Sequence, residues 1–253
     1  MSSEEEALIN RSTEASSGDR FDTFIRPCIA EFIGVMLFVF IGTSAAVVNG
    51  TNIVAIALAH GLTIALLVIA TGAISGGHLN PAVTLGIWFA GGISWLQAPF
   101  YIISQLVGSI LGAALTRGIL NEDLYVQGNG GATLPGPGVT AGEGFLCEML
   151  LTSLLVSAVL LSAVDDSSKS KIGPLAIGFA VVTCILAGGP VSGASMNPAR
   201  SFGPAVVMSH FTTSVWDYHW IYWVGTGCGA LLAGAWYRFF LAGPGKRIKV
   251  FGN

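Results

Sequence analysis

The chain has 253 residues, 53% of them apolar and only 10% charged, with a net charge of −3 and a mean hydropathy of +0.72. Soluble globular chains carry about 25% charged residues, so this composition sets aside a soluble enzyme in favour of a protein whose surface is covered by lipid. Nothing in the charge balance points to a nucleic-acid partner.

In chain order, residues 1–24 hold Glu4, Glu5, Glu6, Glu14, Asp19 and Asp22 among serines and threonines. A secretory signal would need a basic start and an apolar run, so this stretch reads as a disordered cytosolic tail. A membrane-spanning helix takes about 20 mainly apolar residues. Six stretches qualify: 28–48, 53–72, 97–117, 143–164, 172–189 and 218–241. Two further apolar runs, 80–91 and 197–208, are too short to cross. Each follows a glycine-containing loop, Ser75-Gly76-Gly77-His78 and Ser192-Gly193-Ala194-Ser195, which predicts re-entrant half-helices. The longest loop, 118–142, carries Pro135-Gly136-Pro137-Gly138, and residues 243–253 form a second tail.

With the N-terminus in the cytosol, Arg11, Arg20, Arg26, Lys169, Lys171, Arg238, Lys246, Arg247 and Lys249 all fall inside, as the positive-inside rule requires. Both termini are then cytosolic and loop 118–142 is outside. The sequon Asn49-Gly50-Thr51 nearly touches the membrane and is expected to be unused. Cys28, Cys147, Cys184 and Cys228 form no Cys-x-x-Cys pair and sit in or beside apolar segments. Their spacing suggests neither a disulfide framework nor a metal site.

The organisation is a duplication. Adding 117 to Asn80-Pro81-Ala82 gives Asn197-Pro198-Ala199, and adding it to Glu31 gives Glu148. Residues 58–86 align without gaps on 175–203, and the register persists at Gly108/Gly225 and Gly112/Gly229. Repeat one covers about 25–117 and repeat two about 142–241, joined by outer loop 118–141 within one membrane domain, 25–242. Each repeat has three spans, an odd number, so the second enters from the opposite side. The fold class expected is all-α: six transmembrane helices plus two half-helices in inverted repeats. Such repeats bring their half-helix N-termini together near the bilayer midplane. The pairs Gly108-x3-Gly112 and Gly225-x3-Gly229 suit close helix approach. Trp220, Tyr222 and Trp223 suit an interfacial belt.

Proline is at home in the first helical position, which puts Pro81 and Pro198 there and Asn80 and Asn197 at the N-caps. A cap asparagine uses its side-chain oxygen on a first-turn N–H, leaving its NH2 group as a donor. A water meeting two such donors must present its oxygen to both, which interrupts a proton wire. Each half-helix adds roughly +0.5 charge at its N-terminus, and Arg200 adds a full charge nearby. Ala82 and Ala199 complete the two boxes. Glu31 and Glu148 are the deep carboxylates. An intramembrane acid raises the possibility of a proton-coupled transporter, but their symmetry favours a structural role, accepting hydrogen bonds from the loop backbone of their own half.

The twin Asn-Pro-Ala boxes, the stretch Ser-Gly-Gly-His-Leu-Asn-Pro-Ala-Val-Thr at 75–84, and Met-Asn-Pro-Ala-Arg-Ser-Phe-Gly-Pro-Ala at 196–205 resemble the aquaporin, or major intrinsic protein, family over about residues 25–242. The resemblance implies a right-handed bundle forming a pore, four of which assemble as a homotetramer, with no cofactor, metal or enzymatic activity. It also implies an outer selectivity filter at His60, Ile185, Ala194 and Arg200, found by counting from the boxes. Strictly water-selective members have Phe, His, a small residue and Arg at these slots, so His60 and Ile185 depart from that pattern. The set is similar to the aquaporin-8 type, with plant tonoplast aquaporins next. It implies water, ammonia and hydrogen peroxide as permeants, or alternatively a tonoplast-type pore that also passes urea. Ser201, where the glycerol branch has aspartate, together with Ala205, Tyr222 and Trp223, resembles the water type. The plasma membrane is the expected location, a mitochondrial or vacuolar membrane the alternative.

Overall fold

The computed structural model describes residues 20–248; residues 1–19 and 249–253 of the expected tails lie outside the described residues. Helix α1 (Arg26–Asn49) follows a π-helical turn at Phe21–Ile25, and α2 (Ile53–Ser75) begins where the Asn52 side chain accepts from Ala55 N. Half-helix α3 (Pro81–Phe89) leads to α4 (Gln97–Ile119). The second repeat holds α6 (Ala141–Val159, extended by a π turn to Val164), α7 (Gly173–Ser192), half-helix α8 (Pro198–Met208) and α9 (Ile221–Trp236, extended by a π turn to Leu241). Thr140 and Glu143 form a reciprocal capping box at the start of α6, satisfying two donors that the helix end would otherwise strand.

The structure departs from the sequence reading, or adds to it, at four places. The first tail was drawn to residue 24, yet the chain is already helical at residue 20. Helices α2 and α7 run three residues past the expected ends at 72 and 189, because left-handed Gly76 and Gly193 terminate them. The long loop is not structureless: it contains helix α5 (Glu122–Gln127) and a 3-10 turn at Asn129–Gly131, and Gly136 N donates to Val191 O at 2.8 Å. Tyr222 is fully buried rather than interfacial, because its hydroxyl donates to Ser192 O at 2.7 Å.

Among the described residues five helices are long and apolar enough to cross a membrane: Phe21–Asn49, Ile53–Ser75, Gln97–Ile119, Ala141–Val164 and Gly173–Ser192. The sixth span, α9, falls short because Gly, Trp, Tyr and Arg238 dilute its hydropathy. Equivalent pairs pack in the two repeats, α1 on α4 and α6 on α9, while α2 on α7 joins them. A Cβ at Gly108 or Gly112 would strike the carbonyls of Phe32 and Met36, and one at Gly229 that of Met149. The glycines therefore set the helix spacing. Ile29, Ile33, Leu37 and Ile41 recur every four residues along α1 and are each about two-fifths exposed (38–45%), forming one stripe for lipid. Each half-helix lies mainly against the last long helix of the other repeat, α3 on α9 and α8 on α4. That exchange brings the two N-termini face to face.

Candidate functional site

The approach to each half-helix is an unusual backbone. Gly76 and Gly193 have φ of 85° and 83°, Gly77 and Ala194 of 62° and 46°, Leu79 and Met196 of 52° and 53°. For a residue with a side chain the left-handed region costs about 1–2 kcal/mol, so something must hold these loops. Two buried carboxylates do. Glu31 accepts from Ser75 Oγ (2.6 Å), His78 N (2.9 Å), Leu79 N (2.6 Å) and Gln105 Nε2 (2.8 Å). Glu148 accepts from Ser192 Oγ (2.7 Å), Ser195 N (2.9 Å) and Met196 N (2.7 Å). Both acids have 0% exposure, so neither faces the lumen.

With the loops fixed, the caps follow. Asn80 Oδ1 accepts from Ala82 N (2.8 Å); Asn197 Oδ1 accepts from Ala199 N (3.0 Å) and Arg200 N (3.2 Å). The amide nitrogens then reach across the repeat boundary. Asn80 Nδ2 donates to Met196 O (2.7 Å) and Asn197 Nδ2 to Leu79 O (3.0 Å). An amide has two N–H donors, so each asparagine keeps one hydrogen for whatever occupies the space between them. Pro81 and Pro198 open the helices, and Ala82 and Ala199 are buried behind the caps.

That space is a narrow lumen lined by Asn80, Asn197, His60, Ile185, Ala194 and Phe38, among others. His78, Gly77, Val68, Val159 and Ile177 are shared with a wide vestibule that also carries Lys169, Ser170 and Lys171. The lumen therefore opens towards the face bearing residues 20 and 248. At the other end His60 Nδ1 lies 2.9 Å from Ile56 O, and Arg200 Nε donates to His60 Nε2 at 3.4 Å. A carbonyl only accepts and an arginine only donates; both contacts are met by a neutral ring protonated on Nδ1. Arg200 Nη1 donates to Gly131 O at 2.7 Å. Arg200 is not among the residues lining the enclosed stretch. It is drawn to the wall by His60 and Gly131.

Of the sequence candidates, His60, Ile185, Ala194 and both asparagines share one lumen, Arg200 flanks it, and Glu31 and Glu148 stand behind its loops. Several roles went unforeseen. Gly42 leaves the seat for His60, since a Cβ there would lie 2.5 Å from Nε2. Tyr101 and Tyr222 donate to the carbonyls of Ser75 and Ser192 (3.0 and 2.7 Å). Ser109 donates to Ala199 O and accepts from Gly203 N (3.1 Å), bridging α8 where Pro204 interrupts it. Ser201 bonds Ser195 Oγ (2.6 Å) and Thr133 Oγ1 (2.5 Å). A glycine cluster at 128, 130 and 131 was the available hint that the long loop turns inward. Among the described residues no group of three or more His, Cys, Asp or Glu could hold a metal ion.

The sequence profile described as "Major intrinsic protein" matches residues 20–237. The chain belongs to that family. It is 40% identical over 231 residues to "Aquaporin-8" of Notomys alexis, covering 90% of this chain and 87% of the relative. It is 42% identical over 224 residues to "Aquaporin TIP4-4" of Zea mays, covering 84% and 85%. Its fold is shared with the "X-ray structure of the aquaglyceroporin from Plasmodium falciparum", at a TM-score of 0.76 and 23% identity, over 85% of this chain and 96% of that one. As a major intrinsic protein the chain is an integral membrane channel of the aquaporin type that carries water, and not an enzyme.

Proposed function

We propose that the chain is a passive pore for water and small neutral solutes, ammonia and hydrogen peroxide among them, that excludes protons and ions. The observation that carries this reading is the double restraint on each asparagine. The oxygen is spent on a helix cap and one hydrogen on the opposite repeat, so the lumen meets donors only. A water between them gives its oxygen to both and cannot pass a proton along. Two half-helix N-termini, each worth roughly +0.5 charge, and Arg200 oppose cations on top of the cost of stripping their hydration.

The filter reading assigns His60, Ile185, Ala194 and Arg200 to the step that sorts neutral solutes. His60 spends both ring nitrogens on Ile56 O and Arg200, and Ile185 and Ala194 are apolar. The wall there offers few donors that would favour water over ammonia or peroxide. Arg20, Arg26, Lys169, Lys171, Arg238, Lys246 and Arg247 cluster at the ends of spans on one face, which supports cytosolic termini. A homotetramer of four separate pores, in the plasma membrane, completes the proposal.

Stopped-flow measurements on proteoliposomes test it. Fast osmotic swelling, ammonia and peroxide entry, and no ion current are expected. The double variant His60→Phe, Ile185→His narrows the filter and adds a donor. It should cut ammonia and peroxide passage far more than water passage. A fall of all three by one common factor would overturn the filter assignment. Uptake of solute against its gradient under an imposed proton gradient would replace the channel by a coupled transporter.

A further inference from the structure

Arg200 is held from outside the bundle by a single carbonyl, that of Gly131, and Gly131 belongs to the long loop between the repeats. What fixes that carbonyl lies further out. Arg117, in the last turn of α4, places its guanidinium carbon 5.4 Å from the Tyr125 ring centre and 5.2 Å from that of Phe211. The two rings themselves are 5.8 Å apart. Tyr125 comes from α5 within the long loop, whereas Phe211 follows the C-terminal end of α8, the half-helix whose first turn carries Arg200. One cation therefore bolts the loop to the half-helix. Beneath it Tyr125, Ala205, Met208 and Val215 form a small apolar core separate from that of the bundle.

The bolt reaches the filter by direct contact. Tyr125 has 0% exposure, and Gly130 (φ 57°) rests on it so closely that a Cβ would lie 2.5 Å from the hydroxyl oxygen. The neighbouring Gly131 (φ 70°) is pressed on Thr43, where a Cβ would meet Cα at 2.8 Å. Gly131 N donates to Gly128 O at 2.9 Å. The Gly131 carbonyl is thus placed by tight packing on two sides, Tyr125 under Gly130 and Thr43 beside Gly131. The Glu122 carboxylate also meets Arg117, at 2.6 Å, but it is 64% exposed, and such surface pairs contribute little.

We infer that Arg117, Tyr125 and Phe211 act as positioning residues for solute selection, setting through Gly131 how far Arg200 stands out from the wall. This rests on the filter reading above, and the test separates the two. Glycerol and water permeability are measured on the same proteoliposomes, because loss of folded protein lowers both by one factor and leaves their ratio unchanged. Arg117→Gln and Phe211→Leu, which loosen the stack from opposite sides, should each raise the glycerol-to-water ratio about two- to five-fold, the factor expected for a partly exposed cation–π contact. Glu122→Gln should leave the ratio unmoved. Arg200→Val is the reference and should raise the ratio most. If Arg200→Val raises it while Arg117→Gln and Phe211→Leu do not, the positioning role is wrong and the filter reading stands. If Glu122→Gln matches Arg117→Gln, the ion pair and not the stack holds the loop, and the inference fails. If Arg200→Val itself changes nothing, the filter reading falls first.

Discussion

In the first re-entrant loop the carboxylate of Glu31 gathers four donors, one of them from Gln105 on α4. In the second, Glu148 gathers three, and the residue 117 positions on from Gln105 is Tyr222, which instead caps Ser192 O. The first loop obtains the same cap from Tyr101, one helical turn earlier, whose own counterpart Tyr218 is 42% exposed. The half-helices differ too. α8 contains Pro204 and needs Ser109 to bridge Ala199 and Gly203, whereas α3 has Ile87 at that position. The backbone of the two loops has stayed nearly superimposable in φ while the side chains that satisfy it have drifted. What is conserved between the copies is therefore the set of backbone groups to be met, N–H by the glutamates and carbonyl by a tyrosine, and not the position from which the tyrosine reaches.

The largest expected effect comes from removing the acids. Each buried donor left unmet costs about 1–3 kcal/mol. Glu31→Ala and Glu148→Ala should both lose most folded channel, and Glu31→Ala should melt lower in detergent because it also takes one of two acceptors from the Gln105 amide, leaving Thr84 Oγ1. Equal melting temperatures would break the comparison. Next, Ser109→Ala strips partners from Ala199 O and Gly203 N and should cost about 1–3 kcal/mol. Its counterpart Thr226→Ala loses only bonds to Tyr222 O and Trp223 O in its own helix, a type of contact that adds little, and should cost about 0.8 kcal/mol, the worth of the buried methyl it also deletes. Thermal unfolding of the pair measures the difference. The exchange at the third loop position follows, with a ceiling below that of Ser109→Ala. Gly77→Ala puts a side chain at φ 62° and 3.2 Å from Thr71 Oγ1, and should destabilise by about 1–2 kcal/mol. Ala194→Gly relieves φ 46° and should stabilise by under about 1 kcal/mol.

A baseline outside both loops comes from Asp165, whose carboxyl is held well below the usual carboxylate range by Ser167 first and by Gly243 N. A depressed value means the contribution is full above about pH 4 and fades as the pH falls further. The turn at 243–248 should resist proteolysis equally from pH 5 to 8 and loosen only in stronger acid. Asp165→Asn should weaken that acid dependence, leaving the share of the exposed Asp166–Lys246 pair, without touching either loop.

Much of this was legible from sequence because the bilayer leaves few options. Span lengths, the two stubs, the 117-residue register and the asparagine caps all follow from local rules. The donors of the cross-repeat bonds were legible, but their acceptors, Met196 O and Leu79 O, were not. Every residue has a carbonyl, so no residue type marks the one that will be used. Gly131 was hidden for the same reason. Ser109 looked like one more small residue on α4, since only the approach of Pro204 from the other repeat gives its hydroxyl a task. Tyr222 was misread because an aromatic near a span end suits an interface equally well.

The crossed amides of Asn80 and Asn197 also bear on how the channel is made. When the first repeat has left the ribosome, Asn80 has its cap but not the carbonyl of Met196, which lies 116 residues further along the chain than Asn80 and is still to emerge. The waist of the pore can close only after the last third of the chain has inserted. A nascent chain halted before residue 196 should therefore hold its helices in the membrane while passing no water.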